Sequence, residues 1–258
     1  MISTIEIRNK ARESGVPETT IERDYAQNWI LKNLFEIKMA LKGGTGIRKI
    51  YVQGYRFSDD LDFTLLEKTG KKDIINAIEN AIIKAKEDSG IEFREEIQLE
   101  ENINGFTANI YFSIIKRGSV PIKIKLDITG YHKEKVLLPI ENRKIIHPYS
   151  DSFEARINTY SLEEIVAEKV RALFERTRPR DLYDVWYFFR IYNINDLLDI
   201  INRKCEIKKV KIDILSLKDR TNDFKNAWNS SLIHQFNQLP DFNFVFENVI
   251  EKVKEICA

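Results

Sequence analysis

The amino-acid sequence predicts an α+β fold: a mixed or antiparallel sheet with helices, followed by a helical C-terminal half. Three observations carry that prediction. The segments "IEFREEIQL", "GFTANIYFSII" and "PIKIKLDIT" alternate apolar and polar residues with the period of half-buried strands. From Ser161 almost to the end the apolar residues instead recur at helical spacing. Finally, 258 residues of which 43% are hydrophobic and 31% charged can bury a core and are too apolar for a disordered chain. The stretch "IENRKIIHPYSDSF", which lacks periodicity and has prolines at its edges, separates the two patterns and divides the chain into domains at 1–150 and 151–258.

The elements follow in order. "PETTIERDYAQNWILKNLFEIKMALKGG" spaces Ile21, Tyr25, Trp29 and Leu34 as a helix, stopped by Gly43 and Gly44. "RFSDDLDFTL" alternates as a strand. "KKDIINAIENAIIKAKEDSG" reads as a second helix with Asp73 as its cap and Gly90 past its end. The three alternating segments form an antiparallel meander, the last two joined by a turn at "KRGS". In the second half, "SLEEIVAEKVRALFER" opens with a capping-box pair, Ser161 and Glu164. Pro179 suits the first turn of the next helix, whose buried side is Leu182, Val185, Trp186 and Phe189. The tail packs through Trp228, Leu232, Phe236, Phe246 and Ile250.

Composition excludes several classes of function. Lys+Arg 41 against Asp+Glu 40 leaves a net charge of +1, so any binding to nucleic acid must rest on a local patch. Cys205 and Cys257 lie far apart without metal-ligand spacing, and His132, His147 and His234 are scattered. Disulfides, a zinc knuckle and a Ser/His/Asp constellation are therefore not expected. No apolar run reaches the roughly 20 residues of a membrane span, and "MISTIEIRNKARESG" lacks the apolar core of a secretory signal. The expectation is a cytoplasmic protein with no membrane partner.

Chemistry concentrates in "GGTGIRKIYVQGYRFSDDLDF", Gly43 to Phe63. On a strand, Arg56, Ser58, Asp60, Asp62 and Thr64 share one face, and Phe57, Leu61, Phe63 and Leu65 the other, with Asp59 the one departure. Two carboxylates at this spacing lie roughly 6 to 7 Å apart at the backbone and can converge on a hard cation. A solvated strand face is the alternative for a D-x-D alone. Preceding glycines change the balance, because Gly43 and Gly44 let a phosphate approach the backbone and Thr45 adds a hydroxyl donor. The stretch is not a Walker loop, since it lacks the G-K-[ST] ending. Glycines, a hydroxyl and D-x-D together belong to triphosphate chemistry. In "PIKIKLDITG" the polar face carries Lys125 and Asp127; Asp127 is either a third acid beside Asp60 and Asp62 or part of an edge strand protected by lysines.

Two helical motifs add charge. Lys169 falls inside the stripe of Leu162, Ile165, Val166, Val170 and Leu173, whereas Glu164, Glu168, Arg171 and Glu175 fall outside it. It either snorkels from the stripe's edge or reaches a functional cleft. In "RTRPRDLYDVW", Arg176, Arg178 and Arg180 are either a basic face paired with acids or a strip for phosphates. The R-D-L is not a kinase signature, because no D-F-G and no V-A-I-K strand lysine accompany it.

The order G-G-T, R-x-S-x-D-x-D-F, K-x-D-I, "SLEEIVAEKVRAL" and "RPRDLYDVW", from "VPETTIERDY" through Trp186, resembles the nucleotidyltransferase toxins of the AbiEii type, the type IV toxins of abortive-infection and toxin–antitoxin systems. The resemblance implies a DNA-polymerase-β-like nucleotidyltransferase core followed by a helical C-terminal domain. By the family pattern Gly44, Thr45, Asp60 and Asp62 form the phosphate and metal site, Lys125 and Asp127 the next motif, Lys169 the one after, and Asp181 with Asp184 the last. Gly43, Arg56 and Ser58 join the nucleotide-binding set, and Asp127 joins Asp60 and Asp62 as metal ligand. The implied reaction transfers NMP from an NTP to an acceptor hydroxyl with Mg2+ or Mn2+. RNA, particularly the tRNA 3′ end, is the favoured acceptor, a protein or a small molecule such as an aminoglycoside the lesser one, and a cognate antitoxin is implied.

Overall fold

The computed structural model of the protein describes residues 1–115 and 120–257, with side chains through Glu255; the "KRGS" turn expected at 116–119 lies outside the described residues. The chain divides into two units, Met1–Glu134 with Pro139–Tyr160 and Lys135–Leu138 with Ser161–Ala258. Among the described residues no helix is long and apolar enough to cross a membrane.

In the first unit, α1 (Thr4–Ser14) is capped by the Ser3 hydroxyl and ends at Gly15, and α2 (Glu18–Asn33) follows. The sequence reading carries this second helix on to Gly43, whereas the structure ends it at Asn33 and interposes β1 (Met39–Lys42). Met39, Ala40 and Leu41 are all buried, so β1 is covered on both faces and reads as an unbroken apolar run without alternation. Gly43 and Gly44 accordingly open a short helical turn, α3 (Gly43–Gly46), that runs into a π-type turn at Ile47–Tyr51.

β2 (Asp60–Leu65) starts four residues later than alternation suggests; Arg56 to Asp59 stand outside the strand. α4 (Lys71–Ser89) forms as expected and ends at Gly90 with φ +71, but its N-cap is Gly70, and Asp73 sits in the first turn without capping it. The first alternating segment yields two short strands, β3 (Glu92–Phe93) and β4 (Leu99–Asn102), which both pair antiparallel with β5 (Gly105–Ser113). β5 in turn pairs antiparallel with β6 (Ile122–Thr129), as the meander requires. The aperiodic stretch after Pro139 carries β7 (Glu141–Lys144), which pairs with β8 (Arg156–Thr159). Among the described residues the strands make one mixed sheet in the order β3-β5-β6-β2-β1-β8-β7, with β2–β6 and β1–β8 parallel and β4 beside β5. Leu41, Leu61, Phe63, Leu126 and Ile128 share one core with Ile21 and Ile30 of α2 and Ile74 and Ile78 of α4. On the opposite face β2 and β6 carry Asp60, Asp62, Thr64, Lys125 and Asp127.

The second unit is helical: α5 (Leu162–Glu175), α6 (Pro179–Phe189), α7 (Leu198–Lys208), α8 (Ile214–Asp219), α9 (Thr221–Leu232) and α10 (Phe242–Cys257). The Ser161 hydroxyl accepts from Glu164 N at 3.2 Å, which is half of a capping box. The Glu164 carboxylate turns elsewhere, to the N–H groups of Leu137 and Leu138 (3.0 and 2.7 Å) and the Lys204 ammonium (2.5 Å). Glu164 and Arg171, which the helical pattern turns outward, are therefore buried, since charge pairing permits what transfer from water alone forbids.

Candidate active site

Gly43 stands at φ +69, and a Cβ there would lie 2.5 Å from Asp62 Oδ2; glycine is required twice over. At Gly44 a Cβ would lie 2.9 Å from Arg56 Nη2 and 3.0 Å from Ser58 Oγ. The bare side of the glycine turn thus receives the chain's own Asp62, Arg56 and Ser58. Thr45 is buried and its hydroxyl donates to the Asp60 carbonyl, so in this structure it ties β2 to the turn instead of offering its proton outward. Gly43, Gly44, Thr45, Arg56, Ser58, Asp60 and Asp62 are brought together as one constellation.

Strand register extends it. Across the sheet Lys42 stands opposite Asp62, Asp62 beside Asp127, and Asp127 opposite Thr107, while Asp60 stands beside Lys125. Neighbouring strands are about 4.8 Å apart, so Asp62 and Asp127 would repel without an answering charge. Lys125 supplies it, with its Nζ 2.6 Å from Asp127 Oδ2, and Thr107 donates to Asp127 Oδ1 at 2.8 Å. Asp127 thus stands beside Asp62 with Lys125 as its partner, and the edge-strand reading is corrected, because β6 lies inside the sheet between β5 and β2. Among the described residues no three His, Cys, Asp or Glu side chains converge as a metal cage. Asp59, the departure from alternation, pairs with Arg23 at 2.7 Å.

In the helical unit Lys169 stands between two carboxylates, 2.9 Å from Asp181 Oδ1 and 2.9 Å from Asp184 Oδ2. Arg176 reaches Asp181 Oδ2 at 2.8 Å. Both aspartates are buried. Burial alone would raise the Asp181 carboxyl, but the charges of Lys169 and Arg176 hold it well below the usual carboxylate range. Lys169 is neither snorkelling nor unanswered, and for Arg176 the pairing with an acid is the observed one.

Sequence reasoning missed a third cluster. Asp24 of α2 is buried and receives Arg48 Nε at 2.6 Å, Lys49 Nζ at 2.8 Å and the Tyr149 hydroxyl at 2.7 Å. Burial pushes the Lys49 ammonium down to about 8 against the upward pull of Asp24. The Asp24 carboxyl, which burial would raise, is drawn well below its ordinary range by Arg48 and Lys49. A signal existed: "TIERDYAQN" keeps polar residues on every face of its helix, and Thr20, Glu22, Asp24, Gln27 and Asn28 are all buried.

A glycine turn thus packs on a D-x-D strand, with a further lysine and aspartate on the neighbouring strand of a mixed sheet. The class of protein that carries this arrangement follows from comparison. The family of the nucleotidyl transferase AbiEii toxin, type IV toxin–antitoxin system, matches residues 27–248, and the chain belongs to it. Its fold is similar to that of MenT4, a nucleotidyltransferase toxin from Mycobacterium tuberculosis, at 17% identity and a TM-score of 0.65 over 100% of this chain and 90% of that one. It is also similar to a putative nucleotidyltransferase from H. pylori, at 20% identity and a TM-score of 0.55 over 93% and 96% of the two chains. No curated protein matches the sequence.

Proposed function

We propose that the protein transfers NMP from an NTP to a hydroxyl of RNA, the tRNA 3′ end in particular, as the toxin partnered by a cognate antitoxin. The observation that carries the placement of the chemistry is the packing of Asp62, Arg56 and Ser58 onto the bare Gly43–Gly44 turn. There the backbone N–H groups of the turn and the Arg56 guanidinium supply donors for phosphate oxygens. Asp60 and Asp62 are hard oxygen donors on one strand face at a notch that a Cβ would fill, a set suited to Mg2+ or Mn2+. These two residues would hold the cation, with Asp127 joining if it exchanges Lys125 for it. Bound there, a divalent cation supplies neutralisation of triphosphate charge and lowers the pKa of an acceptor hydroxyl.

Lys169, Asp181 and Asp184 act in the chemical step. Flanked by two carboxylates, Lys169 is better equipped to donate to a phosphate oxygen than to accept a proton, so its role is electrostatic. Arg176, Arg178, Arg180 and Lys125 carry RNA phosphates. Binding should weaken with salt, and removing one phosphate contact should lower the log–log slope by about 1.

The test is incubation with each α-labelled NTP, magnesium and total RNA, beside aminoglycosides and a protein extract. Label on RNA supports the reading. Label on an aminoglycoside or a protein replaces the acceptor, and nucleotide binding without any transfer would reduce the protein to a binding module.

A further inference from the structure

The run Tyr55–Asp59 leads into the D-x-D strand, yet it lies between the π-type turn and β2, outside every strand of the described residues. Beyond the bond from Tyr55 N–H to the Val52 carbonyl at 3.2 Å, side chains hold it, chiefly from one stretch of α2. Arg48, bonded to Asp24 through Nε at 2.6 Å, donates from Nη1 to the Tyr55 carbonyl, and its guanidinium lies 3.6 Å from the centroid of the Phe57 ring. Gln27 Nε2 donates to the Ser58 carbonyl at 2.9 Å. Arg23 binds Asp59 at 2.7 Å and, at 3.0 Å, the carbonyl of Lys123, which lies on the same strand as Lys125 and Asp127. Three residues within five positions of α2 thus reach Tyr55, Ser58 and Asp59, directly or through Arg48.

We propose that Asp24 is a positioning residue for the transfer reaction: through Arg48 it fixes the run Tyr55–Asp59 and thereby sets where Asp60 and Asp62 stand against Gly43 and Gly44. This rests on the placement of the chemistry at Asp60 and Asp62. Hydrogen bonds from backbone partners lock a strand, but a run outside the sheet keeps its place only while such side-chain contacts persist. A misplacement of about 1 Å at reacting groups costs on the order of a hundredfold in rate.

The test uses Arg48→Met in the full chain, which cuts the link to Tyr55 while leaving Asp24 its bonds to Lys49 and Tyr149. As a control, Ile82→Val loosens the core of α4 away from this run. At a temperature where both variants are folded, Arg48→Met should lower kcat about ten- to a hundredfold and also raise nucleotide KM, because the run carries Arg56 and Ser58, while the control keeps both constants. Amide exchange at residues 55–60 should rise about tenfold in Arg48→Met and stay unchanged in α4. Parental kcat, or parental exchange at 55–60, overturns the proposal. The two readings separate cleanly. If the parent labels no RNA, the acceptor reading fails, and exchange, which needs no acceptor, decides the positioning: faster exchange confined to 55–60 supports it, and parental exchange overturns it.

Discussion

Asp24 in the sheet unit and Asp181 in the helical unit are both buried aspartates that hold a lysine and an arginine, yet they are built to different ends. Around Asp24 the cations are enclosed: the Arg48 and Lys49 side chains are 11% and 2% exposed, and a tyrosine hydroxyl takes the second carboxylate oxygen. Around Asp181 the arrangement is looser. Arg176 is 44% exposed, and Lys169 has a second carboxylate in Asp184. A closed network leaves a charge stranded whenever one member goes, which suits a fixed scaffold. An open one has a spare partner and a cation at water, which suits a group that must trade contacts with a substrate.

That contrast breaks first on stability. Asp24→Asn strands two enclosed cations and should cost about 3–5 kcal/mol. Asp181→Asn leaves Lys169 its second aspartate and Arg176 its water, and should cost about 1–2 kcal/mol. Denaturant titration of both variants measures the difference, and equal costs would dissolve the distinction. Next comes rate. Lys169→Arg keeps the charge between Asp181 and Asp184 but changes its reach and donor geometry, so transfer should fall about a hundredfold while the melting temperature shifts by only a few degrees. Unchanged transfer with lowered stability would make this lysine a strut like Lys204, which is buried 2.5 Å from Glu164.

The smallest effect is in acid. Both carboxyls titrate below the ordinary 3.8 in the folded protein, so as pH falls past that value the unfolded chain takes up their protons first and the stability they confer is lost. Asp181→Asn should flatten the acid limb of stability below pH 3.8 by up to about 1.4 kcal/mol per pH unit, with no change near pH 7 in its slope. Unfolding midpoints measured from pH 2 to 7 read this directly, and an unaltered acid limb would contradict the ion pair.

Periodicity made the half-buried elements of the fold legible and left the strand buried on both faces obscure. β5, β6, α4 and α5 each bury one face, so alternation or helical spacing marks them in the sequence. β1 is buried on both faces, which erases alternation, and "EIKMALK" then reads as a continued helix. The acids of the site were legible because Asp60, Asp62 and Asp127 keep a strict two-residue rhythm on half-buried strands. What Gly43 and Gly44 face was not, since the approach of Asp62, Arg56 and Ser58 depends on a loop that closes in space. Asp24 was hidden for a related reason: its partners at Arg48, Lys49 and Tyr149 lie far along the chain, and no local rule joins them.

The placement of the chemistry is tested most directly by Asp62→Asn, assayed for transfer of an α-labelled nucleotide and for unfolding in parallel. Asparagine keeps the volume and one oxygen against the Gly43 turn while removing a charge that stands beside Asp127. If this face holds the metal-bound triphosphate, transfer should fall by about a thousandfold or more, and stability should stay within about 1 kcal/mol of the parent. Transfer at the parental rate in a folded Asp62→Asn protein would contradict the account and move the reaction away from this strand.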